Sequence, residues 1–164
     1  MALWKRPGFR LAAVGLAVLA AVLALFLTEK FGGSPAGTYY QMETVLYSAP
    51  YYSLCYTPDT APQYRIVDGG RLFERRPLGD GNWHEAGELA EVSYTEEELE
   101  DMFLIPNEET QKELSRVKRI YRADAGEECR LVMELEGEKY LVMIGYEDEN
   151  GDVQAGHLFR VTET

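Results

Sequence analysis

Two histidines, His84 and His157, are the ordinary bases of this chain, and Cys55 and Cys129 are its thiols. Nucleophilic catalysis needs a serine, threonine or cysteine beside such a base, with a third group to orient it. No serine stands in a GxSxG elbow, and Cys55 lies in the apolar run SLCY, where a thiolate is disfavoured. His157 sits in AGHLFRV, alternating with Leu158 and Arg160 as a strand residue would, and reads as structural or exposed. His84 is different. It follows Trp83 and precedes Glu85 at the edge of a polar loop, so the triplet is a candidate binding site. A hydrolase using His84 with nearby carboxylates such as Glu85 is the enzymatic alternative.

Metal chemistry finds no support in the spacing. There is no HExxH, no paired-cysteine spacing and no third histidine. The acidic stretch YEDENGDV alternates Asp148, Asn150 and Asp152, but Gly151 is misplaced for a calcium loop and Phe159 stands where the closing glutamate belongs. A hairpin turn explains it better. The carboxylates Glu96, Glu97, Glu98, Glu100 and Asp101 crowd a helix start, where solvation gives them no reason to act as a general acid and base pair. The glycine-rich DGGR and GDGN lack the GK[ST] ending of a phosphate loop. Neither a metal nor a cofactor is expected.

Recognition is better served. Tyr39, Tyr40, Tyr47, Tyr51, Tyr52, Tyr56 and Tyr64 fall in one short stretch, and the adjacent pair Tyr51–Tyr52 must present one ring to each face of an extended segment. Tyrosine brings contact area at little entropic cost. Tyr51 and Tyr52 therefore join Trp83, His84 and Glu85 as binding candidates. Cys55 and Cys129 both follow the N-terminal apolar run. In an oxidising compartment they can pair, closing a loop of about 75 residues worth roughly 4.5 kcal/mol in the chain-entropy model. Two buried free thiols are the other reading.

The elements that must position these residues are legible in outline. TYYQMETVLY, YYSLCY and YRIV have strand composition. YRIVDGGRLFER predicts a hairpin whose Asp68-Gly69-Gly70 turn supplies positive backbone angles. Thr95 and Glu98 form a capping box ahead of Leu99, Met102 and Phe103, and Pro106 stops that helix. Asn107 begins a second short helix, NEETQKELSRV. KRIYRAD, CRLVMELE, KYLVMIGYE and VQAGHLFRV then read as four strands of a meander, the last two joined by an Asn-Gly turn. Strands, two helices and strands again predict an α+β domain with an antiparallel, meander-rich sheet.

The N-terminus sets the location. Residues 11–27 carry no charge and no proline, and a helix of that length reaches roughly 25 Å, near the lower limit for crossing a bilayer core. Lys5, Arg6 and Arg10 precede it, which places the N-terminus in the cytoplasm. A cleaved signal peptide shares this pattern. However, Leu25, Phe26 and Leu27 run into Glu29 and Lys30 with no small-x-small site close by, which favours an uncleaved anchor. The expected organisation is a cytoplasmic tail at 1–10, a transmembrane anchor at 11–28, a linker at 29–37 and an extracytoplasmic domain at 38–164. Beyond residue 28 stand 28 acidic residues against 13 basic ones, a balance of −15 expected to repel nucleic acid and anionic lipid headgroups rather than bind them.

Trp83, Gly87 and Leu89, followed by Thr95, Leu99 and Phe103, give the stretch YRIVDGGRLFERR…NWHEAGELAEVSYTEEELEDMF a further meaning. It resembles small extracytoplasmic domains of Firmicutes, found alone on an anchor or attached to beta-lactam-sensing, antirepressor-type membrane metallopeptidases. The resemblance implies a membrane-tethered outer domain of the bacterial envelope. Because HExxH is absent, it implies no proteolysis. The expectation is a single-pass accessory or sensor-type protein whose outer domain binds a ligand, with a membrane or envelope protein as partner.

Overall fold

A computed structural model describes residues 37–51, 56–67, 69–137 and 139–164. The expected tail, span and nearly all of the linker lie outside them, as do Tyr52 and Cys55. Among the described residues no helix is long and apolar enough to cross a membrane.

Nine strands form one antiparallel sheet: β1 (Thr38–Ser48), β2 (Gln63–Val67), β3 (Arg71–Arg75), β4 (Trp83–Glu88), β5 (Ala90–Val92), β6 (Arg119–Ala125), β7 (Glu128–Glu134), β8 (Tyr140–Glu147) and β9 (Val153–Glu163). Their order across the sheet is β4-β3-β2-β1-β9-β8-β7-β6-β5. The two ends of this series, β4 and β5, are successive stretches of the same chain. One bends away from β3 and the other runs along β6, so the sheet curls into a near-barrel that residues 83–92 complete. Each strand pairs with its sequence neighbours except at β4 and β5, which do not pair with each other, and β9 returns to β1. The meander expected for the last third thus extends through the whole domain.

Alternation sorts the side chains into two cores. Tyr40, Tyr64, Leu72, Ala86, Ala123, Val132, Val142, Phe159 and Val161 point inward from eight different strands and fill the barrel. Their strand neighbours Leu46, Leu131, Met133, Leu141, Met143 and Leu158 point outward from β1 and β7–β9. These would be wet without cover. Helix α1 (Glu96–Asp101) brings Leu99, with Met102 and Phe103 beyond its end, and α2 (Glu108–Leu114) brings Leu114, to bury them. Each such leucine contributes about 1.5–3 kcal/mol when fully buried.

The predicted local signals form. Thr95 Oγ1 accepts from the Glu98 N–H at 3.2 Å while Glu98 Oε2 accepts from the Thr95 N–H at 2.7 Å. Asn107 is the N-cap of α2 rather than its first residue, its Oδ1 accepting from the Thr110 N–H at 2.8 Å. Gly69 and Gly70 take φ of 90° and 80° in the β2–β3 turn. Asp148 Oδ1 accepts from the Asn150 and Asp152 N–H groups, so the acidic stretch is a self-bonded hairpin turn. No metal-binding group of three or more ligands occurs among the described residues.

Candidate functional site

The hairpin register builds a surface. In β2–β3, Arg65 faces Phe73 across the ladder; in β1–β2, Tyr39 faces Arg65; in β3–β4, Arg75 faces Trp83 and Phe73 faces Glu85. Because Tyr40, Tyr64, Leu72 and Ala86 occupy the interior, these alternate residues share the outer face of β1–β4. The Arg65 guanidinium lies 4.9 Å from the Tyr39 ring centroid and 5.6 Å from that of Trp83, and the two rings meet edge to face at 6.1 Å. Such cation–π contacts hold the arginine side chain in place. Arg65 Nη1 donates to the Gly37 carbonyl at 3.2 Å, while its Nε is buried without a hydrogen-bond partner. Arg71 lies 5.8 Å from the Phe73 centroid and 3.9 Å from Glu85. Arg75 Nε donates to the Gly81 carbonyl at 2.7 Å.

Trp83 and Glu85 therefore belong to one surface, and His84 does not. Strand alternation turns His84 to the opposite face, at the barrel rim, where its Nε2 lies 2.7 Å from Asp80 Oδ2. The Asn82 N–H and then His84 hold the exposed Asp80 carboxyl below its usual pKa. Glu85, the carboxylate expected beside His84, pairs with Arg71 instead. Tyr51 is also apart: 57% exposed, it packs edge to face on Tyr146 of β8, and the two hydroxyls share a hydrogen bond. Its neighbour Tyr52 falls outside the described residues. Cys129 is a free, buried thiol whose pKa is pushed up by burial. The proposed pairing rests on Cys55, outside the described residues.

A second polar constellation lies inside the barrel. Arg130, 1% exposed, points inward from β7 between apolar neighbours. Its Nε and Nη2 donate to the two carboxylate oxygens of Glu74 on β3, at 3.0 and 2.8 Å, and Nη2 also reaches Glu128 at 2.7 Å. Arg76 joins Glu74 and Glu128 from the rim. Burial works against the Arg130 charge, but the Glu74 contacts outweigh it and raise its pKa. Above this network His157, fully buried, stacks on Phe159 at 5.9 Å, meets Tyr56 edge-on at 4.9 Å and shares a 3.0 Å hydrogen bond with Ser48 through Nδ1. Arg130 and Glu74 complete each other's bonding, so this is a structural network. His157 is structural too, in agreement with the alternation of AGHLFRV.

An open depression of about 430 Å³ lies between α1 and the 148–152 turn, lined by Tyr94, Glu98, Asp101 and Arg122 among others. Two of its ionic groups are already engaged: Glu98 closes the capping box, and Arg122 is bound by Asp124 and Glu147.

Sequence reasoning named Trp83, Glu85 and Tyr39 but missed Arg65, Arg71, Phe73 and Arg75. The signal was present in RLFER, where Arg71, Phe73 and Arg75 recur at strand period, once the DGG turn sets Arg65 opposite Phe73. What these observations define is a class: an α+β domain on a curled antiparallel sheet, carrying an outer aromatic and arginine face. Comparison with protein-family models, curated proteins and solved structures finds no match for the chain.

Proposed function

We propose that the chain is a membrane-tethered, extracytoplasmic binding domain of accessory or sensor type, and that the Tyr39–Arg65–Trp83 face is its recognition surface. One observation carries this reading: a charged guanidinium held against two touching aromatic rings on the outside of a sheet. Aromatic rings and arginine are the residues enriched where proteins contact partners: the rings bring large area with few rotatable bonds to immobilise, and the guanidinium brings a planar fork of donors. A surface already ordered in the free protein loses little entropy on binding. The apolar run at 11–28, with basic residues before it, supports the tether.

The test is recovery of the full-length tagged chain from crosslinked membranes, with bound protein and lipid identified by mass spectrometry. A component recovered with the native chain and lost from an Arg71→Glu/Arg75→Glu chain is the expected result. Equal recovery from both, or the chain alone from both, sinks the assignment of this face.

A further inference from the structure

Charge is unevenly spread over the domain. Although acids outnumber bases by 28 to 13 beyond residue 28, Arg65, Arg71 and Arg75 stand together on the outer face of β2–β3, among Tyr39, Phe73 and Trp83. Glu85, 3.9 Å from Arg71, and Glu88, opposite Arg71 in the β3–β4 register, share this face, so its cationic excess lies toward Arg65 and Arg75. Larger groups of acids stand elsewhere, at Glu96–Glu98 in the first turn of α1, at Glu108 and Glu109 in α2, and around the 147–152 turn. A molecule so polarised is oriented by an anionic plane, with its cationic face toward it and its acidic elements away.

We infer that this face docks on the anionic lipid headgroups of the bilayer to which the chain is tied. The inference rests on the tethered-binding reading above and names its ligand. Three observations favour a headgroup layer. Amphipathic rings beside arginines are the composition that settles at headgroup level. The arginine cluster also marks the point where the chain enters the domain, since Arg65 Nη1 holds the Gly37 carbonyl at 3.2 Å. With 11–28 as the span, residues 29–36 cover at most roughly 30 Å when fully extended, so the bilayer surface is always within reach of Gly37. Finally, the face carries rings and cations on the outside of the curled sheet rather than in a groove, which suits a surface better than a folded segment. Arg65 is positioned by Tyr39 and Trp83, while the exposed Arg71 and Arg75 flank Phe73 on either side. The overall acidity that repels anionic headgroups is thereby overcome locally, because screening limits each charge to its near surroundings.

The experiment uses the full chain carrying Trp4→Phe, which leaves Trp83 as its single tryptophan. It is placed in lipid nanodiscs made with phosphatidylglycerol or with phosphatidylcholine alone, each including a headgroup-linked quencher. Stronger quenching of Trp83 with phosphatidylglycerol is expected, reversed by high salt. Arg71→Gln and Arg75→Gln, both at exposed positions, should each lower the docking equilibrium constant roughly five-fold, with unchanged circular dichroism. Equal Trp83 quenching in both lipids, with the chain retained in the discs, overturns the docking and leaves the tether standing. A Trp83 response to soluble polyphosphate but not to phosphatidylglycerol overturns it in favour of a soluble polyanion. A chain eluting free of the discs sinks the tether instead. Sedimentation with phosphatidylglycerol vesicles then decides the face by itself: co-sedimentation lost in Arg71→Gln/Arg75→Gln supports it, and no co-sedimentation overturns it.

Discussion

Arg130 reaches across the inside of the barrel from β7 to β3 and closes a bidentate pair with Glu74, at 3.0 and 2.8 Å, although the two strands are not neighbours in the sheet. An arginine fork fits a carboxylate in this way because its N–H groups lie in one plane. The pair ties together opposite walls of the fold.

Removing one partner of that pair leaves a buried charge with only its rim partner, Glu128 for Arg130 or Arg76 for Glu74. Arg130→Met or Glu74→Leu should each cost about 3–5 kcal/mol, while the double replacement Glu74→Leu/Arg130→Met should cost much less than the sum of the single losses. Urea denaturation of the four chains, followed by far-ultraviolet circular dichroism, measures the coupling. Additive losses would show that the pair does not act as a unit.

Acid should weaken the fold in two stages. Burial and then the Arg76 charge hold the His157 imidazole below its usual pKa of 6.5. Burial disfavours the Glu128 carboxylate, but hydrogen bonds from Arg130 and Arg76 prevail and hold its pKa below 4.5. Both folded values are depressed. The stability each group contributes is therefore complete above its unfolded pKa and is lost as pH falls through its folded value. Thermal midpoints measured downward from pH 8 should decline below about 6.5 and again below about 4.5. His157→Gln should abolish the first decline and Glu128→Gln the second.

Gly87 lies where the sheet bends to complete the barrel, with φ of 110°, and a Cβ built there would stand 2.8 Å from the Asp124 carbonyl oxygen. Gly87→Ala combines an unfavourable backbone with a steric clash between β4 and β6. It should destabilise the domain by about 2–4 kcal/mol, against about 1 kcal/mol or less for Ala at the open turn position Gly81. Denaturant midpoints of the two variants make the comparison, and equal losses would remove close approach as the reason for the glycine.

Thr95→Ala removes the hydroxyl that caps α1 and frees the Glu98 carboxylate from its reciprocal bond. The expected loss is about 1 kcal/mol, with Thr95→Ser close to native. Because α1 covers the outer core, amide exchange should accelerate at Leu99, Met102 and Phe103 ahead of β7 and β8.

Much of this protein is written locally. The capping box at Thr95 and Glu98, the positive-φ glycines after Val67, the Asn-Gly turn at 150–151 and the four strands from Arg119 onward follow from short-range chemistry: which side chain can satisfy a nearby N–H, and which residues tolerate a left-handed backbone. Those preferences act over a few residues, so they can be read without the fold. The antiparallel α+β class follows from them. Closure into a near-barrel does not. It depends on β4 and β5 taking different partners after the bend at Gly87 and on β9 meeting β1 more than a hundred positions away in sequence, contacts whose stability comes from a shared interior. The same limit separates Glu85 from His84, adjacent in sequence but on opposite faces, and brings Tyr39, Arg65 and Trp83 together from three strands. Arg130 within CRLVM carries no local sign of its partner: Glu74 lies in another hairpin, and only packing could join them. The sequence determines each element because propensity is local, and the tertiary structure decides the surface because register and curvature choose which faces meet.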